Sequence, residues 1–100
     1  MTRAVRWTDA ALADFGDQID YIAARNSKAA RRVADAIDET ASALGDMPTG
    51  RPGRVTETYE KLVIGLPYIL AYVILEDTVM ILRVIHTSRD WPAEAWPENA

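Results

Sequence analysis

The 100-residue chain contains no cysteine, a single histidine and a single phenylalanine. Without cysteine, disulfides, thiolate metal sites and cysteine nucleophiles are all excluded, and a reducing, cytoplasmic setting fits. One histidine cannot build a His-rich metal site, and the scattered acids lack calcium-loop spacing, so no metal is expected. Gly50 and Gly53 flank a proline and precede no helix, so the phosphate-loop and dinucleotide patterns fail and no cofactor is expected. Long apolar runs are also missing. The longest, from Leu62 to Leu75, is broken by Gly65 and Pro67 and falls short of the roughly 20 residues a membrane helix needs. A cationic surplus is missing too: the net charge is −4, and both halves of the chain carry more acids than bases. Neutralising phosphates needs the opposite balance, so direct nucleic-acid binding is disfavoured and a basic partner suits the surface better.

What is present is an ordinary globular composition, 49% apolar and 26% charged, enough for one domain over residues 1–100. A short strand is expected at Arg3–Trp7, with Trp7 in the core. Thr8 is a natural N-cap, and Leu12, Phe15, Ile19 and Ile22 recur at helical spacing, with Asp14, Asp17 and Asp20 on the opposite, solvated face. Asn26-Ser27 reads as a break, Asn in a left-handed cap and Ser capping the next helix. The second helix presents Val33, Ile37, Ala41 and Leu44, and Gly45 followed by Pro48 should stop it. So short a link makes the two helices an antiparallel hairpin.

Thr49–Arg54 reads as a turn-rich connector. Strands follow at Thr58–Ile64, Tyr68–Leu75 and Val79–Ile85, with Glu76-Asp77-Thr78 as a hairpin turn; the links demand an antiparallel meander. The order β-α-α-β-β-β predicts an α+β fold, a helical hairpin packed on an antiparallel sheet. Ile69–Leu75 does not alternate, so both faces of its strand are apolar. Either the tail bearing Trp91 and Trp96 covers the second face, or a partner does. Residues 93–100 should form a loosely held tail.

The densest group of unusual residues closes the last strand: Ile81-Leu82-Arg83-Val84-Ile85-His86-Thr87-Ser88-Arg89-Asp90-Trp91-Pro92. A metal-independent ribonuclease needs a base, an acid and cations for the phosphorane charge; His86, Arg83 and Lys61 could supply these. Alternatively His86 caps the strand end, Arg83 pairs with Glu60 on an adjacent strand, and Arg89 with Asp90 ties the tail down. The structural or partner-binding reading is preferred. Trp91 is a core lid or an interface anchor. Asp38-Glu39 and Glu76-Asp77 read as solvated charge.

Taken together, these residues resemble the RelE/ParE superfamily of type II toxins, and within it the ParE branch. The resemblance rests on Val5-Arg6-Trp7-Thr8 with Ala11 and Phe15, on Ile19-Asp20-Tyr21-Ile22-Ala23, and on Ala29-Ala30-Arg31-Arg32. It continues through Leu44, Pro48-Thr49-Gly50-Arg51-Pro52-Gly53-Arg54, Tyr68-Ile69-Leu70-Ala71-Tyr72 and Ile81–Trp91, nearly the whole chain. It implies a small toxin held inactive by a ribbon-helix-helix (ParD-like) antitoxin in a hetero-oligomer, with DNA reached only through the antitoxin. ParE-like members are described as binding and inhibiting DNA gyrase, RelE-like members as cleaving mRNA on the ribosome, and a non-toxic antitoxin-binding relative is a third class. The nucleases are expected to be basic and often carry a C-terminal tyrosine; this chain is acidic and lacks it, which favours the gyrase-binding branch. The antitoxin is expected over Leu12, Phe15, Ile19, Val33, Ile37, Tyr72 and Ile74. A target surface would comprise Arg54, Tyr59, Arg83, His86, Arg89 and Trp91.

Overall fold

The computed structural model describes residues 2–88; Arg89, Asp90, Trp91, Trp96 and the tail 93–100 lie outside the described residues. The chain runs β1 (Ala4–Trp7), α1 (Asp9–Ala23), α2 (Ser27–Asp46), β2 (Arg51–Pro52), β3 (Tyr59–Leu62), β4 (Tyr68–Leu75) and β5 (Thr78–His86). The strands form one mixed sheet in the order β1-β5-β4-β3-β2, antiparallel except for β1, which lies parallel to β5. The α+β reading and the β3–β5 meander hold. The connector differs: Arg51 and Pro52 pair with Glu60 and Tyr59, which adds a short fifth strand. So brief an edge strand leaves no alternation to read.

Thr8 explains how β1 passes into α1. Its Oγ1 accepts from the Ala11 N–H at 3.0 Å as N-cap, its hydroxyl donates to the Leu82 carbonyl at 2.9 Å, and its own N–H donates to the Ile81 carbonyl at 3.0 Å. One residue thus caps the helix and staples it to β5. The second cap corrects the expectation. Asn26 is extended, not left-handed, and its side chain accepts from the Ala29 N–H at 3.0 Å, so Ser27 is the first helical residue and not the cap.

Gly45 is a further correction. It does not end α2, which runs to Asp46; it lies buried inside the helix. A Cβ there would sit 2.6 Å from the Arg3 carbonyl oxygen, and the Arg3 N–H donates to the Gly45 carbonyl at 2.7 Å. The glycine lets β1 cross the helix at backbone contact, while Met47 turns extended and Pro48 prevents resumption.

Both faces of β4 are buried, as its unbroken apolar run predicts. On the helix side Leu70, Tyr72, Val79, Ile81 and Val84 meet Ala11, Val33, Ile37 and Leu44, with Trp7 half-buried against Phe15 at 5.5 Å. On the other side Ile69, Ala71, Val73, Met80, Leu82 and Ile85 form a second cluster that contains no helix residue.

Candidate functional site

The register of β4 against β5 slips by one residue: Ala71 pairs with Arg83, and Tyr72 with Ile81. Leu82 is the extra residue of a β-bulge, and a bulge re-aims the side chains beside it. It lies where β1 has ended, so among the described residues no strand bonds the outer edge of β5 there. Asp14 of α1 fills that place. Its Oδ2 accepts from the Val84 N–H at 3.0 Å and from Arg83 Nε at 2.7 Å, while Oδ1 accepts from Arg83 Nη2 at 2.8 Å. The side chains of Arg83 and Asp14 are only 14% and 12% exposed. Hydrogen bonding to the Asp14 carboxylate raises the Arg83 pKa, with desolvation opposing. This fork is a structural tie between helix and sheet. It corrects two expectations at once, because Asp14 does not lie on a solvated face and Arg83 does not pair with Glu60.

Glu60 is claimed elsewhere. It is 5% exposed, and its carboxylate accepts from the Arg54 N–H at 2.9 Å and from Arg54 Nε at 3.0 Å, with Arg51 at 3.8 Å. Burial alone would raise its pKa. The hydrogen bonds and positive charge of Arg54, with the charge of Arg51, outweigh that and hold it below the usual carboxylate value. Arg54 thereby pins the connector over β3. Gly53 makes room for it, since a Cβ there would lie 2.4 Å from Thr58 Oγ1.

The remaining candidates separate into two places. Lys61 donates to Thr49 Oγ1 at 2.8 Å and lines a cavity of about 570 Å³ between α2 and the end of β3, together with Glu39, Met47, Leu62 and Ile64. His86 stands edge-on to Tyr68 at 5.3 Å and opens on a different, polar cavity of about 380 Å³ lined by Asp14, Asp17, Gln18, Tyr21 and Ser88. The Ser88 N–H donates to His86 Nδ1 at 3.2 Å, and Ser88 Oγ lies 2.7 Å from the same nitrogen. With Nδ1 accepting, a neutral ring carries its proton on Nε2. The two cavities share no lining residue, so Lys61 and His86 open on different ones; Lys61 also lines a third cavity of about 620 Å³ with Arg51, Arg54, Glu60 and Thr87. Among the described residues no group of three histidines or acids could hold a metal ion, and no helix is long and apolar enough to cross a membrane.

Of the residues expected at a partner surface, Val33, Ile37 and Tyr72 are enclosed in the chain's own core, and Tyr72 donates its hydroxyl to the Thr49 carbonyl at 2.6 Å. Phe15, Ile19 and Ile74 are partly buried against that core. Leu12 stays 52% exposed. The reason is a rotated helix face: Ala11, not Leu12, is the buried residue of the first turn, which moves Leu12 outward and draws Asp14 in. Tyr59 stacks on Tyr72 at 5.6 Å and keeps one face in solvent. Sequence reasoning missed the exposed apolar rim of Met47, Leu62 and Ile64, of which Ile64 is 85% exposed. The available signal was Ile64 directly before Gly65, beyond the last residue that β3 can pair.

Two helices on one face of a five-stranded mixed sheet constitute the ParE/RelE toxin fold. The chain overlays a chain of the chromosomal ParDE TA system of P. aeruginosa with a TM-score of 0.79, covering 85% of this chain and 96% of that one at 20% identity. The RelBE2 toxin-antitoxin complex of Mycobacterium tuberculosis gives a TM-score of 0.65 at 29% identity, over 86% and 92% of the two chains. Residues 5–91 match the model of the ParE toxin of the type II toxin-antitoxin system parDE, and the chain belongs to that family. It is 38% identical to Y4kP of Sinorhizobium fredii over 91 residues, 90% of this chain and 94% of that protein. To Toxin RelE2 of Caulobacter vibrioides it is 35% identical over 85 residues, 85% of this chain and 96% of that protein.

Proposed function

We propose that this type II toxin acts by binding a protein target, DNA gyrase, in the cytoplasm, and is neutralised by a ribbon-helix-helix antitoxin encoded beside it. The observation that supports the reading is that two of the candidate cations, Arg83 and Arg54, are held by carboxylates of the chain itself. The Asp14–Arg83 fork joins helix to sheet, Arg54 is clamped on Glu60, and Lys61 lies in a different cavity from His86. Ribonucleolytic catalysis without a metal needs cations gathered around one phosphate beside an acid and a base; among the described residues Arg51, Arg54 and Lys61 line one cavity and His86 opens on another, which supports binding over cleavage. Binding needs only an apolar surface with a polar rim. Met47, Leu62 and Ile64, exposed around one cavity between α2 and β3, provide one, and with Leu12 on α1 they are residues an antitoxin segment would cover.

The likeness to RelE2 and to the RelBE2 complex supports a second reading, a ribosome-dependent mRNA endonuclease, in which His86 would be the candidate base. Both readings require a toxin. Induction in cells lacking the antitoxin should arrest growth, and co-expression of a neighbouring ribbon-helix-helix gene should restore it. A chain that leaves growth unchanged is a non-toxic relative, and both readings fall.

A further inference from the structure

We infer that the outer edge of β3 is a docking site for an extended peptide that alternates apolar and acidic residues, added to the sheet as one more strand. The pairing of the sheet supplies the first observation. Of the four residues of β3, β2 covers only Tyr59 and Glu60, and among the described residues no strand lies beside Lys61 and Leu62 on that edge. Gly50, at a φ of 141°, is where the connector leaves the sheet, and the Tyr72 hydroxyl holds the Thr49 carbonyl on the helix side at 2.6 Å. On the inner edge the Val63 N–H donates to the Tyr68 carbonyl at 2.9 Å. Successive N–H groups of a strand point to opposite edges, so that of Leu62 points outward. An unpaired edge flanked by exposed apolar side chains is a template for another strand, and here Leu62 is 52% and Ile64 85% exposed.

The second observation is that this edge has a cavity on each face. Lys61, Leu62 and Ile64 line both: the one of about 570 Å³ on the helix side, with Met47, and the one of about 620 Å³ on the opposite side, with Arg51, Arg54 and Ile69. Side chains of a strand alternate between its faces with a period of two. A strand laid along this edge therefore sends every second side chain into one cavity and the rest into the other.

The chemistry of the two cavities fixes the alternation. On the helix side Ala36, Ala43, Leu44 and Met47 offer apolar contact. On the other side Arg51, Arg54 and Lys61 meet one carboxylate, Glu60, although the chain as a whole has a net charge of −4. Arg54 holds that carboxylate at 3.0 Å, and Arg51 lies 3.8 Å from it with its side chain 74% exposed. The cavity thus keeps a positive excess that suits the carboxylates of a partner. An RNA backbone would meet the same cations, but unpaired bases bind on aromatic platforms, and no described aromatic side chain lines either cavity. The inference deepens the antitoxin reading and rests on it for the source of the segment.

The test is titration of the full-length chain with a short synthetic peptide alternating leucine and glutamate, with its counterpart carrying lysine for glutamate, and with oligouridylate. The glutamate peptide should bind, and the lysine peptide should bind about tenfold more weakly or not at all. Added salt should weaken the glutamate peptide on the unmutated chain. Arg51→Gln combined with Lys61→Gln should weaken it about fivefold, while Arg51→Lys keeps most of the affinity. Amide hydrogen exchange reads the strand itself: the Leu62 N–H should exchange several times more slowly with the glutamate peptide bound. Equal binding of the two peptides, or a Leu62 amide whose exchange the peptide leaves unchanged, would overturn the inference. Oligouridylate that displaces the peptide would overturn it too and assign the cavity to RNA. Growth arrest relieved by a neighbouring antitoxin gene, with no peptide bound to the purified chain, would remove this inference alone and leave the toxin reading standing.

Discussion

Asp14 and Arg83, 69 positions apart, hold each other through two charge-assisted hydrogen bonds of 2.7 and 2.8 Å, and the same carboxylate completes the edge of β5 by accepting from Val84. The pair lies where β1 stops and the bulge begins, so it carries on the bonding of the β5 edge beyond the end of β1. Removing either partner strands a charge that is barely exposed. Arg83→Ala and Asp14→Ala should each cost about 2–4 kcal/mol in urea denaturation. Arg83→Met with Asp14→Asn, which keeps an acceptor for Val84, should be less destabilised than the two single changes added together. Loss of toxicity in Arg83→Ala should track loss of fold; full stability with no toxicity would make Arg83 a functional cation instead.

Glu60 gives the fold an acid limit. Its folded pKa is held below the ordinary value of 4.5, so the carboxylate binds its proton more weakly in the folded chain than in the unfolded one. That contribution is fully present above the unfolded value and disappears as pH falls through the folded value. Denaturation midpoints followed downward from neutral pH should therefore fall below about pH 4.5. Glu60→Gln should lower stability at neutral pH and flatten that acid limb. An unchanged slope would remove Glu60 from the account.

Two helical glycines predict opposite outcomes. Nothing lies within 4 Å of a Cβ at Gly16, so Gly16→Ala should stabilise the chain by about 0.5–1 kcal/mol through helix propensity. At Gly45 the same change meets the Arg3 carbonyl at 2.6 Å and should destabilise by about 1–3 kcal/mol, as overpacking against backbone does. Thermal melts of the two variants side by side check the pair. Gly45→Ala as stable as the parent would mean that β1 does not approach α2 so closely.

The apolar rim separates binding from stability. Ile64→Asp and Leu62→Asp alter side chains that are mostly in water, so melting temperatures should stay within a few degrees of the parent. Antitoxin affinity, measured by calorimetry, should drop at least tenfold. Unchanged affinity would place the antitoxin elsewhere.

Local sequence signals carried most of this fold. Thr8 announced the first helix, the period of Val33, Ile37, Ala41 and Leu44 gave the second, and the unbroken run from Tyr68 to Leu75 revealed a strand buried on both faces. What was illegible arises from contacts distant in sequence. That Gly45 is a crossing point depends on Arg3 arriving from the far end of the chain, and the Asp14–Arg83 fork depends on a one-residue bulge that no periodicity encodes. Three of the residues expected at a partner surface are enclosed in the chain's own core for a related reason. Val33, Ile37 and Tyr72 belong to apolar stripes, and a stripe marks what a chain buries first in itself.

The central claim, that this toxin acts by binding gyrase and not by cutting RNA, meets its most direct test in two assays run side by side on the purified chain. It should inhibit gyrase supercoiling of plasmid DNA and leave mRNA on translating ribosomes intact, with Lys61→Ala and His86→Ala retaining the inhibition. Cleavage of ribosome-bound mRNA without any effect on supercoiling, abolished by His86→Ala, would contradict it.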